Sequence, residues 1–316
     1  MKITVLDTNT ITKGDVSLEP LTKFGETEFF DMLSEDEIIE AARDSEVIIC
    51  NKAKITGKIM QNCKKLKFIT LFATGYNNID LSAAKQYGIT VSNAPGYSTD
   101  SVAGHTFAFI LELALNISKY NASVKAGDWV RSKKFSYFSY PLLELTGKTL
   151  GIIGLGTIGK KVAEIAKAFG MRVIAYSRTQ KQLDGIDFVD LDEVFKQSDF
   201  LTLHCPLNSG TEGIVCKSRL ALMKNSAFII NTSRGGVIVE GDLVEALDNG
   251  IIAGAAIDVL DLEPMRDHHP YLKAKNLIIT PHIAWATIEA RERLIKLVAS
   301  NLEAFKNGSP INTVSD

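Results

Sequence analysis

Short, almost unbroken apolar runs at residues 3–6, 47–50, 68–71 and 89–92 alternate with stretches whose apolar positions recur at helical spacing. The same alternation resumes at residues 149–153, 171–176, 200–203, 228–231, 252–256 and 277–279. Runs of this kind fit strands buried on both faces of a parallel sheet, and their alternation with helices marks an α/β fold. Helix punctuation agrees with that reading. Ser34 precedes Glu37 by three positions, as in a capping box, and Asp80 opens a short helix that Gly88 closes. Between the two blocks lies a turn-rich boundary, NAPGYSTDS at residues 93–101, followed by a long, mostly apolar helix pattern at 102–125 that could cross between domains.

The stretch LGIIGLGTIG at residues 150–159 puts a glycine-rich turn directly between an apolar strand pattern and a helix in which Val162, Ile165, Ala166 and Phe169 recur until Gly170. In that context the glycines read as a dinucleotide fingerprint. Gly154 serves the tight turn, Gly156 lets the backbone approach a pyrophosphate, and Gly159 permits close helix–strand packing while the helix N-terminus faces the anion. The run at 171–176 completes a βαβ unit, and the residue after it meets the adenosine ribose. An acid there would accept hydrogen bonds from the 2′-hydroxyl of NAD; this chain has Ser177 followed by Arg178. A hydroxyl beside a guanidinium suits a 2′-phosphate, so NADP is expected in preference to NAD, with NAD possible. Arg178 as an ordinary solvated loop arginine is the alternative.

A chain of 316 residues with 46% hydrophobic content can fill two cores. The net charge of −2 and the lack of basic blocks argue against nucleic-acid binding. Lys2 leads into a strand pattern, and no apolar run approaches membrane-spanning length, so a cytoplasmic protein without membrane attachment is expected. Cys50, Cys63, Cys205 and Cys216 lack metal-type spacing and read as reduced, structural thiols. His268 and His269 adjoin Pro270 and suit a solvated turn better than a metal cage; no metal is expected.

Doubly wound sheets bind ligands at the carboxyl ends of their strands, and three polar clusters fall there in succession. NTSRGG supplies Arg234, IDVLDLEP supplies Asp258 and Glu263, and TPHIAW supplies His282. Histidine exchanges a proton near neutrality, a carboxylate can orient and charge-stabilise it, and arginine can grip a substrate carboxylate with two hydrogen bonds. Singly, Arg234 could be a turn residue, Glu263 a solvated acid and His282 a core histidine. Together they form a plausible proton-and-carboxylate site.

The strings ATGYNNID, NAPGYSTDSVA, GIIGLGTIGKKVA, LHCPL, NTSRGG, IDVLDLEP and TPHIAW give the chain, over nearly its whole length, a resemblance to the D-isomer-specific 2-hydroxyacid dehydrogenase family. The resemblance implies two doubly wound parallel-sheet α/β domains: a flavodoxin-like substrate domain of residues 1–99 and 288–316, completed by a C-terminal helix at about 287–305, and a Rossmann dinucleotide-binding domain of residues 100–287. It further implies that Arg234 binds the substrate carboxylate and carbonyl, that His282 is the acid/base and that Glu263 pairs with it. The backbone amides of Thr74 and Gly75 would hold the carboxylate, with Trp285 also at the substrate, and Asp258 would contact the nicotinamide amide. The implied cofactor site draws on Gly154, Gly156, Thr157, Ile158, Gly159, Ser177, Arg178, His204, Cys205, Pro206, Thr232, Asp258 and His282.

Within the family, HIAW and CNKAKIT near Lys52 most resemble the glycerate dehydrogenase or hydroxypyruvate reductase branch. The reaction implied is reduction of a small 2-keto acid, hydroxypyruvate or glyoxylate, to D-glycerate or glycolate, by a homodimer. Residues 135–143, FSYFSYPLL, are a candidate interface. Another 2-hydroxy acid as substrate, or a non-enzymatic dinucleotide-sensing regulator on the same scaffold, are the alternatives. Formate dehydrogenase relatives carry Gln where this chain has Glu263. Gly104 stands where Glu or Gln usually follows VA, which puts a helix-initiation contact in doubt.

Overall fold

The computed structural model describes residues 1–178 and 183–315. The chain divides into two compact units, Met1–Ser98 with Trp285–Asp316, and Thr99–Ala284. It therefore passes from one to the other twice, the second time at Ala284–Trp285.

The first unit runs β1 (Lys2–Val5), α1 (Glu19–Thr22), β2 (Glu26–Phe29), α2 (Glu35–Ala42), β3 (Val47–Cys50), α3 (Gly57–Asn62), β4 (Phe68–Leu71), α4 (Leu81–Tyr87) and β5 (Thr90–Ser92). Its five strands are all parallel in the order β2-β1-β3-β4-β5, the flavodoxin-like arrangement. The apolar runs VIIC and FITL are buried along their whole length because they lie at the centre of this sheet. The edge strand β2, ETEF, escapes the apolar pattern: half-exposed and charged, it has only one neighbour to pair with. Capping follows the sequence pattern. The Ser34 amide donates to Glu37 Oε2 at 2.7 Å, the Ala83 amide donates to Asp80 Oδ1 at 2.9 Å, and Gly88 closes α4 at φ +68°. The closing helix Ile288–Lys306, capped by the Thr287 hydroxyl, packs Leu294, Ile295, Val298 and Leu302 among Ile3, Val5, Ile49 and Phe68. The C-terminus thus fills the core of the first unit.

The second unit contains α5 (Thr99–Leu115), α6 (Ile117–Lys125), α7 (Asp128–Ser132), β6 (Thr149–Ile153), α8 (Thr157–Ala168), β7 (Arg172–Tyr176), β8 (Asp187–Phe188), α9 (Leu191–Gln197), β9 (Phe200–Leu203), α10 (Lys217–Leu220), β10 (Phe228–Asn231), α11 (Glu240–Asp248), β11 (Gly254–Ile257) and β12 (Leu277–Ile279); the closing helix of the chain is α12. The seven parallel strands are ordered β12-β11-β10-β9-β6-β7-β8, the doubly wound dinucleotide-binding order with one strand added at the edge. Its order reverses between β6 and β9, each of which pairs with the other. Apolar clusters cover both faces, one around Val194, Phe195 and Leu243, the other around Phe107, Ile110 and Val162.

Three expectations change here. The helix pattern at 102–125 is two helices, bent by 56° at Asn116, whose backbone turns left-handed at φ +50° while its side-chain amide donates to Pro141 O at 2.9 Å. Asparagine tolerates that conformation better than most residues, so apolar periodicity runs on through a break it does not register. Helix α5 already begins at Thr99, so Gly104 sits in its interior and takes no part in starting it. Strand β12, expected to be buried on both faces, is only half-buried because it forms the edge of the sheet. Among the described residues no single helix is long and apolar enough to cross a membrane.

Candidate active site

The glycine-rich turn lies at the carboxyl end of β6, beside the reversal in strand order where doubly wound sheets leave a crevice. Its glycines answer to different constraints. Gly154 has φ +96°, and a Cβ there would come within 2.6 Å of the Cys205 amide nitrogen and the His204 carbonyl carbon. A Cβ at Gly159 would lie 2.3 Å from Gly154 O, so the first turn of α8 closes directly on the loop. A Cβ at Gly156 would meet nothing within 4 Å, which leaves open space beside the amides of Thr157, Ile158 and Gly159 at the helix start. Those amides belong to the first turn and have no intrahelical acceptor. Nearby, Nε2 of His204 is buried without a hydrogen-bond partner among the described residues, and burial lowers the protonation of this imidazole to about pH 4. An anion cradle and an unsatisfied buried polar atom at the same strand ends fit a dinucleotide with a pyrophosphate and polar rings.

The candidate proton-exchange group, His282, stands on the turn after β12. His282 Nδ1 lies 2.6 Å from Glu263 Oε2, and Glu263 Oε1 accepts the Leu260 amide at 3.0 Å. The carboxylate beside Nδ1 fixes the orientation of the imidazole ring. His282 has a left-handed backbone at φ +56°, uncommon for a residue with a side chain. Asp258, at the end of β11 and 2% exposed, holds it there: its carbonyl accepts the His282 amide at 2.8 Å, and its carboxylate accepts the amides of Ile283 and Ala284 at 2.8 and 2.9 Å. The Thr280 hydroxyl donates to the same carboxylate. The carboxylate expected to contact a nicotinamide amide thus also shapes the histidine turn.

Arg234 follows β10 in an extended conformation, half-buried, with Nη1 donating to Ser233 O at 2.7 Å. The Asn231 side-chain amide donates to Arg234 O, and Asn231 Oδ1 accepts from the Ser233 amide and hydroxyl, so the loop is tied to the strand that precedes it. Gly235 lets this loop press against the next one. A Cβ there would overlap the Leu260 carbonyl carbon at 1.8 Å. The arginine loop and the Glu263 loop are consequently in backbone contact.

A family model described as D-isomer specific 2-hydroxyacid dehydrogenase, NAD binding domain, matches residues 107–284. The chain belongs to that family. It is 41% identical to a hydroxypyruvate reductase of Blautia hydrogenotrophica over 100% of both chains, and 41% identical to a glycerate dehydrogenase of Methylorubrum extorquens over 88% of each. Among solved structures, an acyclic imino acid reductase in complex with NADPH and D-Arg superposes with a TM-score of 0.87 at 33% identity, covering 99% of this chain and 100% of that one. The expected family and two-sheet α/β fold are therefore both found, and the chain is an NAD(P)-dependent D-2-hydroxyacid dehydrogenase.

The remaining expected site residues of this dehydrogenase have the following surroundings. Ser177 and Arg178 follow β7, half-buried and exposed respectively. The Thr232 hydroxyl lies 3.1 Å from that of Thr106 on α5. Cys205 is buried, which pushes its thiol up to about 11, and Pro206 O accepts the Thr211 hydroxyl. All four cysteines are free thiols. In the first unit, the Thr74 hydroxyl donates to Ala94 O at 2.8 Å and Asn93 Nδ2 donates to Thr74 O at 2.7 Å, fixing the loop that continues into Gly75. Trp285 packs edge-on against Tyr97 with centroids 6.2 Å apart.

One expectation is corrected. His268 is exposed, but His269 is packed: its Nε2 lies 3.1 Å from Glu240 Oε2, and its Nδ1 accepts the Tyr271 amide. Glu240 Oε1 also accepts the Asp261 amide at 3.0 Å, so this pair braces the loop that carries Glu263. Neither Glu240, at the start of α11, nor His105, on α5, shows a motif in the sequence. Their hydrogen bonds, from Glu240 to Asp261 and His269 and from His105 to Thr280, span long sequence separations.

Proposed function

We propose that this dehydrogenase reduces a small 2-keto acid, hydroxypyruvate or glyoxylate, to the D-2-hydroxy acid, reversibly and with NADPH in preference to NADH. The observation that carries the reading is the 2.6 Å approach of His282 Nδ1 to Glu263 Oε2. It supplies a proton donor whose cationic form has a counter-charge, and that counter-charge sits on a loop in backbone contact with the Arg234 loop. His282 protonates the carbonyl oxygen through Nε2, and Glu263 orients the ring. Arg234 binds the substrate carboxylate and stabilises charge developing on the oxygen. Thr74 and Gly75 offer backbone N–H groups to a carboxylate, and Trp285 an indole to the substrate. The cofactor, when bound, supplies the hydride. Gly154, Gly156 and the amides of Thr157, Ile158 and Gly159 would hold its pyrophosphate; His204, Cys205, Pro206, Thr232 and Asp258 stand at strand ends around the same crevice.

The preference for NADPH rests on Ser177 and the exposed Arg178 where an acid would select NAD. A cytoplasmic homodimer is the setting proposed, joined through residues 135–143, where Phe135 is 96% and Phe138 78% exposed. The test is turnover of a panel of 2-keto acids, with hydroxypyruvate and glyoxylate included, using NADPH and NADH in parallel. No turnover of either keto acid with either cofactor would refute the assignment.

A further inference from the structure

We propose that His105 is a positioning residue for the proton donor: from α5 it anchors the Thr280 hydroxyl, which orients the Asp258 carboxylate that holds the turn of His282. The geometry is a chain of single hydrogen bonds. Nε2 of His105 lies 3.1 Å from Thr280 Oγ1, and Thr280 donates its hydroxyl proton to Asp258 Oδ1 at 2.5 Å. A hydroxyl has one proton; since it goes to Asp258, Thr280 can only accept from His105, and the His105 proton must sit on Nε2.

Beyond Thr280, one aspartate ties down successive amides. The Asp258 carbonyl takes that of His282, and its carboxylate takes those of Ile283 and Ala284. This is where the backbone of His282 is held at φ +56°. Losing the Thr280 contact leaves the carboxylate held only by the Ile283 and Ala284 amides, so its orientation loosens and the turn shifts toward commoner backbone angles. His105 is itself fixed, with its ring edge-on to Phe109 at a centroid separation of 4.5 Å. Burial disfavours the cationic ring, although Asp258 at 3.9 Å pulls the other way, so the neutral Nε2–H tautomer is the form that fits.

The inference rests on His282 being the proton donor, and its test separates the two ideas. In the full-length enzyme, His105→Leu should lower kcat by about tenfold to a hundredfold with little change in KM, as expected when a catalytic group is displaced. His105→Gln, whose side-chain amide can reach Thr280, should restore most of that loss. Thr280→Val should resemble His105→Leu, and the double variant should be no worse than the poorer single one. Nitrogen-15 spectra of the imidazoles should show His105 as the Nε2–H tautomer. Additive losses, no rescue by Gln, or an Nδ1–H tautomer would overturn the proposal while His282→Ala remains inactive. Full activity in His282→Ala would instead overturn the reading beneath it.

Discussion

His282 Nδ1 and Glu263 Oε2 stand 2.6 Å apart, and the second oxygen of Glu263 is held by the Leu260 amide of its own loop. The carboxylate is aimed by its backbone before it meets the imidazole. Truncating His282 to Ala should lower kcat by about 10²–10⁴ with a smaller effect on KM. Glu263→Gln keeps a hydrogen-bonding group but removes the counter-charge, so the imidazolium loses support and the alkaline limb of keto-acid reduction should move to lower pH. A pH profile for Glu263→Gln that overlays the unmodified enzyme would break the pairing.

Arg234 is expected to act in both ground and transition states, so Arg234→Ala should raise KM and lower kcat together. The loop contact gives an independent check. Because a Cβ at Gly235 would overlap Leu260, Gly235→Ala should displace the arginine without touching it and reproduce part of the same loss. Steady-state kinetics of Gly235→Ala indistinguishable from the parent would mean that the two loops need not be in contact for catalysis.

The proposed preference for NADPH rests on Ser177 and Arg178, which follow β7. Removing one charge-assisted contact to a phosphate costs roughly 1.5–3 kcal/mol, so Arg178→Ala should weaken NADPH about tenfold to a hundredfold and spare NADH. Fluorescence titration with both cofactors checks it; equal weakening of the two would remove Arg178 from the selection.

Stability should respond to acid through His204. Burial lowers its folded-state protonation to about pH 4, below the ordinary value of about 6.5. Above that ordinary value the ring is neutral in both states. As pH falls through it, the unfolded chain takes a proton that the folded one refuses, so stability declines until about pH 4, by at most about 3 kcal/mol. His105, also lowered by burial, pulls in the same direction. Urea midpoints at about pH 7.5 and pH 4.5 should converge more closely in His204→Leu than in the parent; an unchanged difference would assign the acid sensitivity elsewhere.

The exposed rings of Phe135 and Phe138 lie in a segment that also includes Leu142, 50% exposed. A dimer joined there should dissociate in Phe138→Asp, read as a halved mass by sedimentation at micromolar concentration. A parent enzyme that is already monomeric under those conditions would reject the interface.

Much of this architecture can be read without coordinates, for a definable reason. Strands β3, β4, β6, β9 and β10 lie inside their sheets, where both faces demand apolar side chains, and these stand where unbroken apolar runs put them. Edge strands escape that demand. ETEF at β2 and the two residues of β8 carry no such run, and their pairing is settled by the neighbouring strand. The break at Asn116 is equally silent, since a single left-handed residue leaves the apolar spacing on either side intact.

The same division runs through the site. Arg234, Glu263 and His282 are legible because each ends or follows a strand, and the topology of a doubly wound sheet gathers such positions. The glycines are legible for separate reasons: a Cβ at Gly154 or Gly159 would overlap neighbouring backbone, whereas Gly156 leaves open space beside the amides of the helix start. What sequence alone determined was therefore the fold and the family, and it named Arg234, Glu263 and His282 as the groups proposed to react. Tertiary structure alone decided which groups hold Glu263 and His282 in place. Asp258 holds the His282 turn, Glu240 and His269 brace the Glu263 loop, and His105 reaches Thr280 from 175 positions away. Hydrogen bonds of that kind depend on direction and distance between segments remote in the chain, and neither is encoded in any local pattern of residues.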